Sequence, residues 1–75
     1  MKNLIKSVDA GSPLRRKVKP GWELLSVNDH PIADVLDYKF YTYDRVLHME
    51  FRTAEGKIRR LRVRKDEGTD VGLHG

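Results

Sequence analysis

Alternating apolar and polar residues in the second half of the chain predict a β-hairpin. The segments 45–52, RVLHMEFR, and 57–65, KIRRLRVRK, both repeat with the two-residue period of a strand. Ala54-Glu55-Gly56 separates them and is expected to turn the chain. Ile58 is out of phase with the second segment, which predicts a bulge or a frayed start. The residues expected to face inward are Leu47, Met49, Phe51, Leu61 and Val63.

Turn and cap residues divide the first part of the chain into short elements. The segment 3–9, NLIKSVD, predicts a strand. Ser12 is a good N-cap and Pro13 suits the first helical position, so a helix of about one turn is expected before the next proline. Lys19-Pro20-Gly21 places Pro and Gly where a type II turn favours them.

The central part of the chain predicts a buried strand and then a longer helix. The segment 22–27, WELLSV, is almost continuously apolar, and Asn28-Asp29 predicts a tight turn after it. Apolar residues recur at helical spacing through 32–43, with acidic residues early in the segment. The segment 66–75, DEGTDVGLHG, has no period and is expected to be a loop or a loose tail. The predicted core is Leu24, Leu25, Val27, Leu36, Phe40, Leu47, Met49 and Phe51.

Together these elements predict an α+β fold, a small, partly open antiparallel sheet or barrel with one short and one longer helix. A chain of 75 residues is one domain, 1–75, with room for one small core. Because it contains no cysteine, disulfides and thiolate metal sites are excluded. No apolar run approaches the length of a membrane span, and the N-terminus lacks the apolar region of a signal peptide. We therefore expect a cytoplasmic protein.

The candidate chemistry does not indicate an enzyme. His30, His48 and His74 do not have the spacing of a helical or strand metal site, and no serine lies in a nucleophile-elbow pattern. Neither a metal nor a cofactor is expected in this chain. The formal net charge is +4, and alternation places Arg60, Arg62 and Arg64 on one outward strand face. This basic surface is compatible with weak nucleic-acid binding, but it lacks interleaved aromatic residues, which favours a solvated or guarded sheet edge instead.

The first half of the chain, GSPLRRKVKPGWELLSVNDHPI, resembles the middle of a PDZ domain. Two positions depart from the family pattern, because Trp22 stands where Asp is usual and Asp29 where Gly is usual. The matching positions are Gly11, Ser12, Pro13, Gly21, Leu24, Leu25, Val27, Asn28 and Ile32.

The end of the chain extends this resemblance. The segment VGLHG looks like a degenerate form of the loop that holds a peptide carboxylate in PDZ domains, and it follows the last strand instead of preceding the first. The order of elements therefore resembles a circularly permuted, bacterial PDZ-like domain. The resemblance implies that peptide-binding residues lie in this loop and on the wall of the longer helix, namely Val71, Gly72, Leu73, His74, Gly75, Asp34, Tyr38 and Tyr41. The alternative is a loose tail, with the two tyrosines merely covering the sheet edge.

A narrower resemblance is to the N-terminal PDZ-like domain of a bacterial family that combines a domain of unknown function with a radical-SAM-like iron–sulfur body. It implies a larger parent protein that binds an iron–sulfur cluster and S-adenosylmethionine outside these residues. The residues that carry it are Asp37, Tyr38, Phe40, Lys65, Asp66, Glu67, Gly72 and Leu73.

Three functions remain open from the sequence. The first is a protein or peptide interaction module that takes an extended segment by β-addition, the partner being another protein or the rest of the parent chain. The second is a structural docking or lid domain without a free peptide ligand. The third is weak nucleic-acid contact through the basic strand.

Overall fold

The computed structural model describes residues 3–75, which form one helix and six strands. One helix with antiparallel sheets makes the fold α+β, as predicted. No helix in these residues has the length and apolar character needed to cross a membrane. The elements are β1 (Ser7–Val8), β2 (Glu23–Val27), β3 (His30–Pro31), α1 (Val35–Tyr41), β4 (Val46–Arg52), β5 (Ile58–Arg64) and β6 (Leu73–His74).

The strands form a four-stranded sheet with the order β3-β2-β4-β5 and a two-stranded sheet of β1 and β6. The predicted hairpin is β4–β5, which pairs without interruption from Val46 opposite Arg64 to Arg52 opposite Ile58. The predicted bulge or frayed start at Ile58 is therefore wrong. The N–H of Thr53 donates to the carbonyl of Lys57 at 2.7 Å, and this bond holds the register up to the turn. The register shift lies instead in β2, between its second and fourth residues.

The two predicted turns around β2 are confirmed. Gly21 has a φ of 95°, and the N–H of Trp22 donates to the carbonyl of Lys19 at 3.2 Å, as in a type II turn. Asn28 and Asp29 have φ angles of 49° and 67°, the left-handed pair of a type I′ turn. This turn joins β2 to β3.

The first predicted helix is only a turn. The N–H of Val18 donates to the carbonyl of Leu14 at 2.9 Å, but the residues around this bond do not continue as a helix. Ser12 acts as the predicted cap, since its Oγ accepts from the N–H of Leu14 at 3.0 Å. The predicted short helix is therefore wrong, although the chain does make a turn at the predicted position.

The core draws buried side chains from the four-stranded sheet, from the turn after Pro13 and from both strands of the small sheet. Five of the predicted core residues are buried, while Leu25 lies in the β2 bulge and is only half-buried. The buried apolar residues are Ile5, Val8, Leu14, Val18, Trp22, Leu24, Val27, Ile32, Leu47, Met49, Phe51, Val63, Val71 and Leu73.

Helix α1 presents the opposite face from the one predicted. Leu36 and Phe40, expected in the core, are 72% and 74% exposed. Tyr38 and Tyr41, expected off the core face, pack against the core instead. The rings of the tyrosines supply large apolar bodies, and the Tyr38 hydroxyl finds hydrogen-bond partners, so the helix is turned with its tyrosines inward.

The prediction that 66–75 is a loose loop or tail is wrong for its second half. Val71, Gly72 and Leu73 are buried, and Leu73–His74 pairs with β1 as β6. The segment VGLHG, expected to be a carboxylate-type loop, therefore contains the strand β6.

Candidate functional site

The segment 66–72, here called the C-terminal loop, leads from β5 to β6 and is fixed at both ends. The N–H of Gly68 donates to the carbonyl of Tyr43 at 2.9 Å. At the other end, the Oγ of Ser12 donates to the carbonyl of Val71 at 2.6 Å. Gly72 has a φ of +85°, and a Cβ there would lie 3.0 Å from the Cβ of Ser12 and 3.1 Å from the Cβ of Asp9. Glycine is therefore required where the loop enters β6.

The two backbone donors that a carboxylate-binding loop would offer are already engaged. The N–H of Gly72 donates to Oδ1 of Asp70 at 2.8 Å, and the N–H of Leu73 donates to the Tyr38 hydroxyl at 3.2 Å. That hydroxyl lies 3.3 Å from the same Asp70 oxygen, to which it donates. A carboxylate and a phenol of the protein itself thus occupy the positions from which an external anion would be bound. We call Tyr38, Asp70 and the N–H groups of Gly72 and Leu73 the Tyr38 latch.

The environment of the Tyr38 hydroxyl keeps it protonated. Burial raises the pKa of Tyr38 well above its ordinary value, and the negative charge of Asp70 raises it further. The bond from Leu73 acts in the opposite direction but is outweighed. A neutral hydroxyl is what the latch needs, because it must donate to Asp70 and accept from Leu73 at the same time.

The remaining residues of the predicted carboxylate loop divide into core and surface. The side chains of Val71 and Leu73 belong to the core and do not face a ligand. His74 and Gly75 are exposed, and Nε2 of His74 lies 2.9 Å from Oδ1 of Asp9. This contact ties β6 to the end of β1.

Asp34, predicted to line a binding wall, is the N-cap of α1. Its Oδ1 accepts from the N–H groups of Leu36 and Asp37, each at 3.0 Å. Oδ2 of Asp37 in turn accepts from the N–H of Ala33 at 2.9 Å. The carboxylate of Asp34 is thus used in starting the helix, an ordinary role for this residue.

Tyr41 shares the inward face of α1 with Tyr38 but does not reach the latch. Its ring stacks on His30 of β3 with centroids 4.2 Å apart and an angle of 11° between the planes. The edge of Phe40 meets the same ring at 5.0 Å. A shallow concavity of about 440 Å³ opens here, between α1 and the β2–β3 turn. Of the two predicted tyrosines, only Tyr38 is brought to the C-terminal loop.

The outward side of α1 is apolar and uncovered in residues 3–75. Its helical residues Val35, Leu36 and Phe40 are each more than half exposed. Tyr43, just after the helix, is exposed as well. We call these four residues the outer face of α1. An apolar cluster of this kind on a small domain is typical of a protein-contact surface.

The basic residues lie where alternation predicts them. Arg60, Arg62 and Arg64 are exposed on the outer side of β5, opposite Glu50, His48 and Val46 respectively. Nε of Arg60 donates to Oε2 of Glu50 at 2.9 Å, an exposed ion pair. Such pairs contribute little to stability, so the arginines are not needed for the fold.

The histidines do not form a metal site in the described residues. His30 stacks on an aromatic ring, His48 lies on the outer face of β4, and His74 contacts a carboxylate. No group of three or more His, Cys, Asp or Glu side chains in residues 3–75 is arranged to hold a metal ion.

Sequence reasoning missed Asp70, the central acceptor of the latch. The signal was present in the spacing of Asp70 and Gly72, because an Asp side chain commonly accepts from the N–H two residues later. The contribution of Tyr38 could not be read in this way, since it depends on how α1 packs beside β6.

Comparisons with known proteins found no matching family model, no matching curated protein and no matching solved structure.

Proposed function

We propose that this chain is a non-catalytic protein-interaction domain with a PDZ-like, circularly permuted arrangement, and that it takes an extended protein segment along the edge of β6 that faces α1. The proposal rests on the hydrogen bond that the Leu73 N–H makes. This β-strand donor is directed towards α1 and is bonded to a side-chain hydroxyl at 3.2 Å instead of to another strand. A side-chain hydroxyl is a partner that an incoming backbone carbonyl can replace.

The neighbouring geometry supports the same proposal. β6 pairs with β1 on one side only, so its other side is an edge, and α1 lies beside that edge. β-addition draws its affinity from main-chain bonds at such an edge. Because the Tyr38 latch must open first, the affinity of the resting protein for a peptide is expected to be low.

The experiment is a titration of extended peptides with free C-terminal carboxylates against the wild-type chain and Tyr38→Phe. The substitution keeps the ring and removes the hydroxyl, so a peptide no longer displaces that hydrogen bond. We expect binding to become about threefold to tenfold tighter, the value of one hydrogen bond. The backbone amide signal of Leu73 should shift in the NMR spectrum on binding.

Tyr41→Phe is the matched control, because this tyrosine lies on the same helix but not in the latch. The proposal fails if no peptide binds either protein, or if both substitutions change the affinity equally.

A second candidate is a docking or lid domain of a radical-SAM-like iron–sulfur parent protein, without a free peptide ligand. The outer face of α1 favours it, since large apolar side chains exposed on one helix fit a fixed contact with a neighbouring domain better than they fit solvent. In both cases the parent would be a bacterial cytoplasmic protein, and its cluster and S-adenosylmethionine would be held by residues outside this chain.

A further inference from the structure

The edge of β5 that faces away from β4 is a second strand edge, at one end of the larger sheet. β5 is the last strand in the order β3-β2-β4-β5, and no strand formed by residues 3–75 pairs with its other side. The N–H of Thr53 donates to the carbonyl of Lys57, and the N–H of Lys65 donates to the carbonyl of Arg45. These bonds show that the odd-numbered residues of β5 direct their backbone N–H and C=O groups towards β4. With the two-residue period, the N–H and C=O groups at the free edge belong to Ile58, Arg60, Arg62 and Arg64.

The same four residues point their side chains to the outer face of the sheet. Three of the four are arginines, and within residues 3–75 only Arg60 among them has a carboxylate partner. Leu61 and Val63, which alternate with them, face the core side. A strand added at this edge would therefore place every second side chain beside an arginine and the others beside the apolar residues of β5. The pattern that fits is alternating acidic and apolar.

A second copy of this chain does not fit the edge. Antiparallel pairing of two β5 strands about a two-fold axis would set arginine side chains of one copy beside those of the other. Like charges directly opposite in a sheet are destabilising. The arginines thus reject the strand's own copies while they attract a strand of opposite charge.

Nucleic acid fits the edge less well than a protein segment. The outer face of β4 and β5 carries no Phe, Tyr or Trp side chain on which a base could stack, and its single aromatic ring is the imidazole of His48. The row of unpaired N–H and C=O groups matches the repeat of a peptide backbone, which offers the complementary groups at the same spacing. Positive charge would attract a nucleic acid and an acidic peptide alike, whereas the unpaired backbone groups can pair only with a peptide.

We propose that the free edge of β5 receives an extended acidic segment of another protein, with acidic side chains over Arg60, Arg62 and Arg64 and apolar side chains beside Leu61 and Val63. This site is separate from the β6 edge and does not depend on the Tyr38 latch. It gives the domain a contact selected by charge as well as by strand pairing.

The test is a fluorescence anisotropy titration of the full chain with a capped peptide of alternating glutamate and valine, about as long as the seven residues of β5. We expect saturable binding that weakens with salt, and slower exchange of the Arg60, Arg62 and Arg64 amide protons in the complex. The double variant Arg62→Glu, Arg64→Glu should bind at least about tenfold more weakly, because two attractive pairs become repulsive.

Arg59→Glu, Lys57→Glu is the control with the same change in net charge. Arg59 lies on β5 but alternates to the other face, and Lys57 precedes the strand. This variant should lose less than about threefold. A peptide of the same sequence with alternate backbone nitrogens methylated keeps its charge but cannot pair at the edge, and it should not bind.

Three results would overturn the proposal. If the methylated peptide bound as tightly as the unmethylated peptide, the contact would depend on charge alone. A single-stranded oligonucleotide of equal charge could bind while the peptide does not, which would identify a nucleic-acid surface. Absence of binding to either would leave the arginines as guards of the edge only.

Discussion

The protein has two sheet edges of opposite character. At the β6 edge, the Leu73 N–H is capped by the Tyr38 hydroxyl, the Gly72 N–H by Asp70, and α1 lies alongside. At the β5 edge, the backbone groups of four residues meet solvent, and their arginine side chains stand above them.

The difference shows two ways in which a small domain protects an exposed strand. One edge is closed by side chains of its own fold, so a ligand must compete with a neutral, half-buried phenol. The other is left open and is protected by charge, which excludes like strands but admits acidic ones. Binding at the β6 edge depends on opening of the Tyr38 latch, whereas binding at the β5 edge depends on the charge of the partner.

The largest expected effect comes from filling the crowded entry to β6. Gly72 and Gly56 have nearly identical φ angles, +85° and +86°, so an alanine carries similar backbone strain at either position, roughly 1–2 kcal/mol. Only at Gly72 would the new methyl meet other atoms, at 3.0 and 3.1 Å, while nothing lies within 4 Å at Gly56. Gly72→Ala should therefore destabilise the protein by about 1–3 kcal/mol more than Gly56→Ala.

Urea denaturation of the two variants measures this difference. Equal losses would mean that the β6 edge is not tightly packed, and the contrast between the edges would disappear.

The sequence predicts the open edge much better than the closed one. Alternation in β4 and β5 is a local property, so the outward position of Arg60, Arg62 and Arg64 follows from the two-residue period alone. The type II and type I′ turns were predictable for the same reason, because Pro, Gly, Asn and Asp carry their own backbone preferences.

The closed edge depends on contacts between residues far apart in the chain. The bond between Leu73 and Tyr38 joins positions 35 residues apart, and Gly72 contacts Ser12 across a still longer separation. Helical spacing identified the apolar stripe of α1 but not whether a core existed to receive it. The tyrosines could take the inward position because the hydroxyl of Tyr38 finds a donor and an acceptor on the C-terminal loop.

A smaller effect is expected at alkaline pH and tests the latch directly. The pKa of Tyr38 is raised by folding, so its contribution to stability is complete below the unfolded value of about 10 and is lost as pH rises towards the folded value. The wild-type protein should therefore keep Tyr38 neutral when exposed tyrosines ionise, and unfolding should release a phenol that titrates normally.

Tyr38→Phe removes this behaviour. We expect it to cost about 1 kcal/mol at neutral pH, since it breaks the bonds with Leu73 and Asp70. Between about pH 10 and 12 the loss should become smaller, because the phenol ionises in the unfolded wild-type protein while it stays neutral in the folded one, and the variant has no phenol at this position to ionise. If ultraviolet titration showed Tyr38 ionising at about pH 10, the ordinary pKa of a tyrosine, the latch would not exist.

The smallest effect is expected on the outer face of α1. It tests whether the closure of the β6 edge depends only on the inward side of the helix. Leu36 and Phe40 are largely exposed, so Leu36→Ser with Phe40→Ser should change the free energy of unfolding by no more than about 0.5 kcal/mol for each site. The Tyr38 latch should stay intact, since Tyr38 and Tyr41 pack against the core and are unchanged in this variant. Thermal unfolding and the Leu73 amide signal together measure both points. A loss of several kcal/mol would show that the apolar stripe of α1 is buried after all, as its helical spacing first indicated.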